Sequence, residues 1–96
     1  MHIAIPHKSN KISALTKVKL ALQEGRSQLG QYATIDDERW EGDTLHFAAT
    51  LQGKQITGTL QVTDKDFVVD AKLPLLWRMF EGRIEKAIAE QAKMLG

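Results

Sequence analysis

The segment from Trp40 to Val62 constrains the fold of this chain more than any other part of the sequence. Two runs of strictly alternating apolar and polar residues flank the dipeptide Gln52-Gly53. Because successive side chains of a β-strand point to opposite faces, this period of two indicates a hairpin with one buried and one solvated face. We expect the buried face to carry Leu45, Phe47, Ala49 and Leu51 from the first run and Ile56, Gly58, Leu60 and Val62 from the second.

Three further strands and two helices are predicted around this hairpin. Alternating or apolar runs indicate strands at residues 2–5, 32–40 and 67–71. One helix is expected to begin at Ser9 or Asn10 and to end near residue 29, before Gly30. Its apolar stripe is Ala14, Leu15, Val18, Ala21, Leu22, Gly25 and Leu29. The second helix is expected to begin at Leu73-Pro74, and its stripe is Leu76, Phe80, Ile84, Ala87, Ile88 and Leu95.

The order of these elements predicts a single α+β domain over residues 1–96. Short turns between the last four strands favour an antiparallel sheet, and both helices can bury their stripes only on its apolar face. The expected architecture is a two-layer β-α-β-β-β-β-α sandwich, similar in connectivity to TBP-like folds and to a short helix-grip fold.

Small residues recur at the positions expected between the two layers. They permit either close packing or a pocket, and close packing is the expectation for so short a chain. Gly58 is expected to let a helix approach the sheet closely. The small residues are Ala14, Ala21, Gly25, Ala49, Gly58, Ala71 and Ala87.

Composition excludes several functional classes. The chain has no cysteine, which rules out a disulfide framework and thiolate chemistry. A formal net charge of +1 argues against nucleic-acid binding. We find no apolar run of about 20 residues that a membrane span needs, and expect no signal peptide.

The groups that carry most enzyme chemistry are sparse. The three histidines, His2, His7 and His46, show no spacing that indicates a relay or a metal site, and we interpret them as surface or capping residues. A carboxylate cluster near a turn lacks the spacing of a calcium loop and is interpreted as a solvated strand end. It comprises Asp36, Asp37, Glu38, Glu41 and Asp43. We therefore predict no catalytic residues, no metal site and no cofactor.

Exposed apolar residues are the strongest candidates for an interaction site. Leu20 falls on the polar side of the first helix, and Leu75 and Met79 fall on the polar side of the second, with Trp77 at its margin. The four residues form either a patch for a partner subunit or an apolar surface, or ordinary surface apolarity.

An ordered set of short motifs carries a family resemblance. The motifs are Ile5-Pro-His, Trp40-x-Gly-Asp-Thr-Leu-x-Phe, Gly53-x-x-Ile-x-Gly-Thr-Leu-x-Val, Leu73-Pro-Leu-Leu and Phe80-x-x-x-Ile-Glu-x-x-Ile. Together they resemble the polyhydroxyalkanoic acid system family, small bacterial proteins linked to polyhydroxyalkanoate granule loci. The resemblance implies a cytoplasmic protein near a hydrophobic storage polyester, and it supplies no catalytic residues.

Two functions from different classes follow from this resemblance and the residues. In the first, the protein is a non-enzymatic accessory protein that contacts the granule surface or granule proteins through a helical face. In the second, it is a small domain that binds an apolar or acyl ligand between helices and sheet. A homodimer formed through the helical patch is a further expectation that the sequence leaves open.

Overall fold

A computed structural model describes residues 1–29 and 33–95, without the side chains of 26–29 and 95. Within these ranges the chain forms a five-stranded antiparallel sheet and two α-helices, which confirms the predicted α+β class. The predicted roles of Gly30 and Tyr32 lie outside the described residues. In chain order the elements are β1 (His2–Pro6), α1 (Lys11–Leu29), β2 (Ala33–Glu41), β3 (Thr44–Leu51), β4 (Lys54–Val62), β5 (Asp66–Lys72), a 3₁₀ helix (Leu75–Phe80) and α2 (Glu81–Leu95).

The sheet has the strand order β1-β5-β4-β3-β2. Strands β2 to β5 follow one another as an antiparallel meander, and β1 adds to the outer side of β5. The β3–β4 register pairs Leu45 with Leu60 and Phe47 with Gly58, so the predicted apolar residues share one face. The predicted hairpin is therefore confirmed.

Local turn chemistry fixes this register. Gln52 and Gly53 have φ angles of 51° and 76°, and positive φ at both central residues is the condition for a type I′ turn. In the turn between β4 and β5, the Thr63 hydroxyl accepts hydrogen bonds from the backbone N–H groups of Lys65 (3.3 Å) and Asp66 (2.9 Å). Side-chain acceptors of this kind hold a chain reversal without help from the sheet.

The core lies where both helices meet the apolar face of the sheet. Ala14 and Val18 of α1 are buried against Ile5, Val62 and Phe67. Half-buried residues pack around this cluster, and they come from α1, α2 and the sheet: Ile3, Leu15, Leu22, Trp40, Leu60, Ile88, Ala89 and Ala92. The N-terminus of α1 is capped by Asn10, whose Oδ1 accepts the N–H of Ser13 at 2.8 Å.

Gly58 has a different role from the one expected. A Cβ at this position would lie 2.3 Å from the Asp70 carbonyl oxygen, 2.9 Å from the Ala71 Cα and 2.9 Å from Phe47 Cζ. The glycine therefore accommodates the backbone of β5 and the Phe47 ring, not a helix, and the expectation that it admits a helix was wrong.

The second helix also departs from its prediction. The chain leaves Pro74 in a 3₁₀ helix, with the Trp77 N–H donating to the Pro74 carbonyl at 2.9 Å, and the α-helix begins only at Glu81. Leu76 and Phe80 were expected in the buried stripe and are exposed. A 3₁₀ helix turns every 3.0 residues, so a stripe phased at 3.6 residues fails there.

Of the predicted α2 residues from Ile84 onward with described side chains, Ile84 and Ile88 are half-buried, but Ala87 is exposed, so its assignment to the buried stripe was wrong. Ala89 and Ala92 pack against the core instead.

One irregularity interrupts strand β2. Its register with β3 shifts between Ile35 and Asp37, which leaves Asp36 as the extra residue of a bulge. The carboxylate of Asp36 accepts a hydrogen bond from the Thr50 hydroxyl on β3. Strand β2 is one edge of the sheet and β1 is the other.

Candidate functional site

The most exposed apolar part of the described chain is the 3₁₀ helix, here called the apolar 3₁₀ segment (Leu75–Phe80). Its sequence is Leu-Leu-Trp-Arg-Met-Phe, and no residue in it is buried. The side chains of Leu75 and Met79 are 78% and 82% exposed, and Leu76 and Phe80 are also exposed. Single exposed hydrophobes are normal on proteins, but four within six residues are a feature that needs explanation.

The 3₁₀ geometry decides which of these side chains stand together. Residues i and i+3 eclipse one another in such a helix. Leu76 therefore aligns with Met79, and the half-buried Trp77 aligns with Phe80. Leu75 and Met79, both predicted for the polar side of the second helix, are four residues apart, a spacing that aligns side chains in an α-helix but not in a 3₁₀ helix. The exposed apolar surface of the segment also includes Leu76 and Phe80, so it is broader than the predicted patch.

Glu81, the residue after the apolar 3₁₀ segment, contacts the N-terminus beside β1 and β5. The Met1 amino group lies 3.1 Å from Glu81 Oε1 and donates to the Ala71 carbonyl at 2.9 Å. Exposed Arg78 lies within the segment, and exposed Arg83 follows in α2. Apolar side chains beside cations are suited to contact with an amphiphilic surface. The apolar side chains can insert into such a surface, while the charged groups remain at its boundary with water.

The four predicted interaction residues lie on two different elements. Leu75, Trp77 and Met79 belong to the apolar 3₁₀ segment, whereas the exposed Leu20 belongs to α1. Sequence reasoning missed Leu76 and Phe80 because it placed them on a buried α-helical stripe. The available signal was composition, since five of the six residues after Pro74 are large and apolar.

A second feature is an apolar cavity between helices and sheet, here called the interlayer cavity. Its volume is about 730 Å³. The described residues lining it come from α1, α2 and the apolar sheet face, and include Ala21, Gly25, Phe47, Ala49 and Ala87. Small side chains at these positions leave space between the layers. The expectation of close packing was therefore wrong where this cavity lies.

Energetics indicate that the interlayer cavity does not exist as a sealed void. An enclosed cavity costs roughly 24 cal/mol per Å³, so about 730 Å³ would cost roughly 17 kcal/mol. That exceeds the about 5–15 kcal/mol by which whole domains are stable. The lining residues Phe47, Leu60 and Val69 are only half-buried, and Ile35 is exposed. The cavity is therefore reached from solvent.

His7 has a structural environment. Its Nε2 donates to the Thr63 carbonyl at 2.7 Å, and its backbone N–H donates to the Lys65 carbonyl at 2.8 Å. Because a carbonyl only accepts, this contact assigns the ring proton to Nε2. The ring centroid lies 4.9 Å from that of Phe67, and Nδ1 is buried without a hydrogen-bond partner in the described chain. His7 thus fastens the end of β1 to the β4–β5 turn.

The other histidines occupy separate places. His2 contacts the Asp70 carboxylate on β5, and both side chains are largely exposed. His46 Nε2 lies 3.5 Å from Glu41 Oε2 at the start of the β2–β3 hairpin. Across residues 1–29 and 33–95, no group of three or more histidine, aspartate or glutamate side chains is arranged to hold a metal ion.

The carboxylates predicted to be a solvated strand end are distributed among different partners. Asp43 Oδ2 lies 3.0 Å from Lys11 Nζ, and the hydrogen bond to Asp43 and its charge raise the pKa of Lys11. Glu41 Oε1 lies 3.3 Å from Arg39. The first contact joins α1 to the turn between β2 and β3, the second lies within β2, and the two do not converge on one point.

Comparison with known proteins gives one informative result. Neither α1 nor α2, as far as each is described, has the length and apolar content needed to cross a membrane. No curated protein and no solved structure gives a significant match. A family model described as "Putative polyhydroxyalkanoic acid system protein" matches residues 1–95. That match spans almost the whole chain, and the protein belongs to this polyhydroxyalkanoic acid system family.

Proposed function

We propose that this protein is a non-enzymatic accessory protein of the polyhydroxyalkanoate system, acting in the cytoplasm at the granule surface or on granule proteins. The observation that carries the proposal is the exposure of Leu75, Leu76, Met79 and Phe80 in the apolar 3₁₀ segment. The family supplies the context of a hydrophobic polyester. The segment supplies a means of contact that needs no reaction.

The strength of such a contact follows from apolar burial. Fully burying a Leu or Met side chain contributes roughly 1.5–3 kcal/mol, so three of them contribute roughly 5–9 kcal/mol. Micromolar binding corresponds to about 8 kcal/mol, and losses of side-chain and rotational freedom oppose association. We therefore expect reversible binding, strengthened where Arg78 meets negative charge on the granule.

The positions of the histidines support a non-enzymatic role. His7 holds a turn, while His2 and His46 each contact one carboxylate on different strands. General acid–base catalysis needs a proton-transferring group within hydrogen-bond reach of a bound substrate. None of these three residues is among those that line the interlayer cavity.

Co-sedimentation with purified polyester granules tests the proposal. The Leu75→Glu, Met79→Glu double variant should stay in the supernatant, whereas the wild-type protein should pellet with the granules. A matched control is Ile12→Glu with Met94→Glu, because these side chains are 78% and 80% exposed and lie outside the segment. The control should pellet like the wild type. Equal pelleting of both double variants would exclude the segment as the contact.

The apolar 3₁₀ segment is also suited to a symmetric dimer, in which the segment contacts its own copy. Sedimentation velocity without granules separates granule binding from dimer formation. If the segment binds granules, we expect a monomer at micromolar concentration. A dimer that the Leu75→Glu, Met79→Glu variant dissociates would show that the segment is an interface between copies.

A further inference from the structure

We propose that the interlayer cavity is a binding site for one aliphatic chain, such as the alkyl part of an alcohol or an ester. This inference is independent of the granule contact, because the cavity and the apolar 3₁₀ segment are formed by different residues. The cavity lies between α1, α2 and the sheet, whereas the segment lies between β5 and α2.

Size and lining favour a small apolar ligand. A volume of about 730 Å³ falls within the roughly 300–1,000 Å³ of small-molecule pockets. Aliphatic side chains and Phe rings form most of the described lining. Such surfaces attract hydrocarbon in proportion to the apolar area removed from water. A ligand with a long unbranched alkyl part therefore gains most from this site.

Calorimetric titration with straight-chain alcohols of six to fourteen carbons provides the first test. Each added methylene should tighten binding about four-fold, equivalent to about 0.8 kcal/mol, until the cavity is full. Affinity that does not change with chain length would overturn the assignment.

Two helical glycines provide a matched pair of variants for locating the site. A Cβ at Gly25 or at Gly82 would meet nothing within 4 Å, but only Gly25 lines the cavity. Both Gly→Leu changes should raise helix propensity, so neither is expected to unfold the protein. Gly25→Leu should weaken decanol binding at least about ten-fold, and Gly82→Leu should leave it unchanged.

Three results would refute the proposal. The first is the absence of saturable binding by any alcohol of the series to the wild-type protein. The second is unchanged binding in Gly25→Leu, which would place the ligand elsewhere. The third is a ligand-free dimer that Gly25→Leu dissociates in sedimentation velocity, which would show that a second copy of the chain covers the cavity. Failure of granule binding would leave these measurements unaffected.

Discussion

Replacing Gly58 with alanine tests the close contact between β4 and β5 at this glycine. Of the three atoms nearest to the added Cβ, two are backbone atoms of β5, the Asp70 carbonyl oxygen at 2.3 Å and the Ala71 Cα at 2.9 Å. The third, Phe47 Cζ at 2.9 Å, is the tip of a side chain. The ring can swing away, but β5 can give way only by shifting its ladder with β4. The strain therefore cannot be relieved by a rotamer change alone.

The expected loss of stability combines two opposing effects. Overpacking a well-packed site costs about 1–3 kcal/mol. Replacing a glycine also reduces the entropy of the unfolded chain, which returns about 0.4–1 kcal/mol. Because the clash involves backbone, we expect Gly58→Ala to destabilise the protein by about 2 kcal/mol. For a domain of this size, that lowers Tm by about 8–16 °C.

Urea unfolding followed by circular dichroism measures this change. Gly82→Ala in α2 is the control, because its Cβ meets open space and the change should stabilise by about 1 kcal/mol. Adding Phe47→Leu to Gly58→Ala should not restore stability, since the ring is only one of three contacts. Wild-type stability in Gly58→Ala, or full rescue by Phe47→Leu, would refute a backbone clash.

Other predictions concern the surface segment, a turn and a histidine. The Leu75→Glu, Met79→Glu variant should unfold within about 0.5 kcal/mol of the wild type, because both side chains are exposed; a large loss in thermal melts would show that they are core. Gln52→Asn should stabilise the hairpin by a few tenths of a kcal/mol in urea unfolding, because asparagine tolerates positive φ better than glutamine. His7→Gln should cost about 1 kcal/mol through the lost bond to the Thr63 carbonyl, without loss of granule pelleting; complete loss of pelleting in a folded variant would argue for a chemical role.

The sheet was predictable because its signals are local. Alternation from Leu45 to Val62 is tied to the pleat, and the dipeptide Gln52-Gly53 marks the reversal, so register follows from side-chain direction alone. The bulge at Asp36 was not predictable in the same way. An extra residue changes pairing with a neighbouring strand, and nothing in the local pattern shows where that neighbour resumes.

The candidate site was only partly predictable for a related reason. Leu75 and Met79 were identified correctly as exposed, but Leu76 and Phe80 were assigned by extending an α-helical phase back to Pro74. The chain forms a 3₁₀ helix there, with 3.0 residues per turn. The 3.6-residue periodicity of α2 therefore does not extend back past Glu81. The interlayer cavity depends on the separation of helices and sheet. A small residue such as Gly25 leaves space beside it. The sequence alone does not show whether a side chain from another element fills that space.

The two sheet edges bear on how the protein behaves at high local concentration. An edge strand carries unpaired backbone groups that can recruit the edge of another molecule and start fibrous aggregation. Here β2 carries a bulge and a negatively charged run around Asp36 and Asp37, and β1 ends at Pro6, which has no N–H to donate. Each feature hinders the addition of a foreign strand. Many copies crowded on one particle should therefore remain individually folded instead of joining into a continuous sheet.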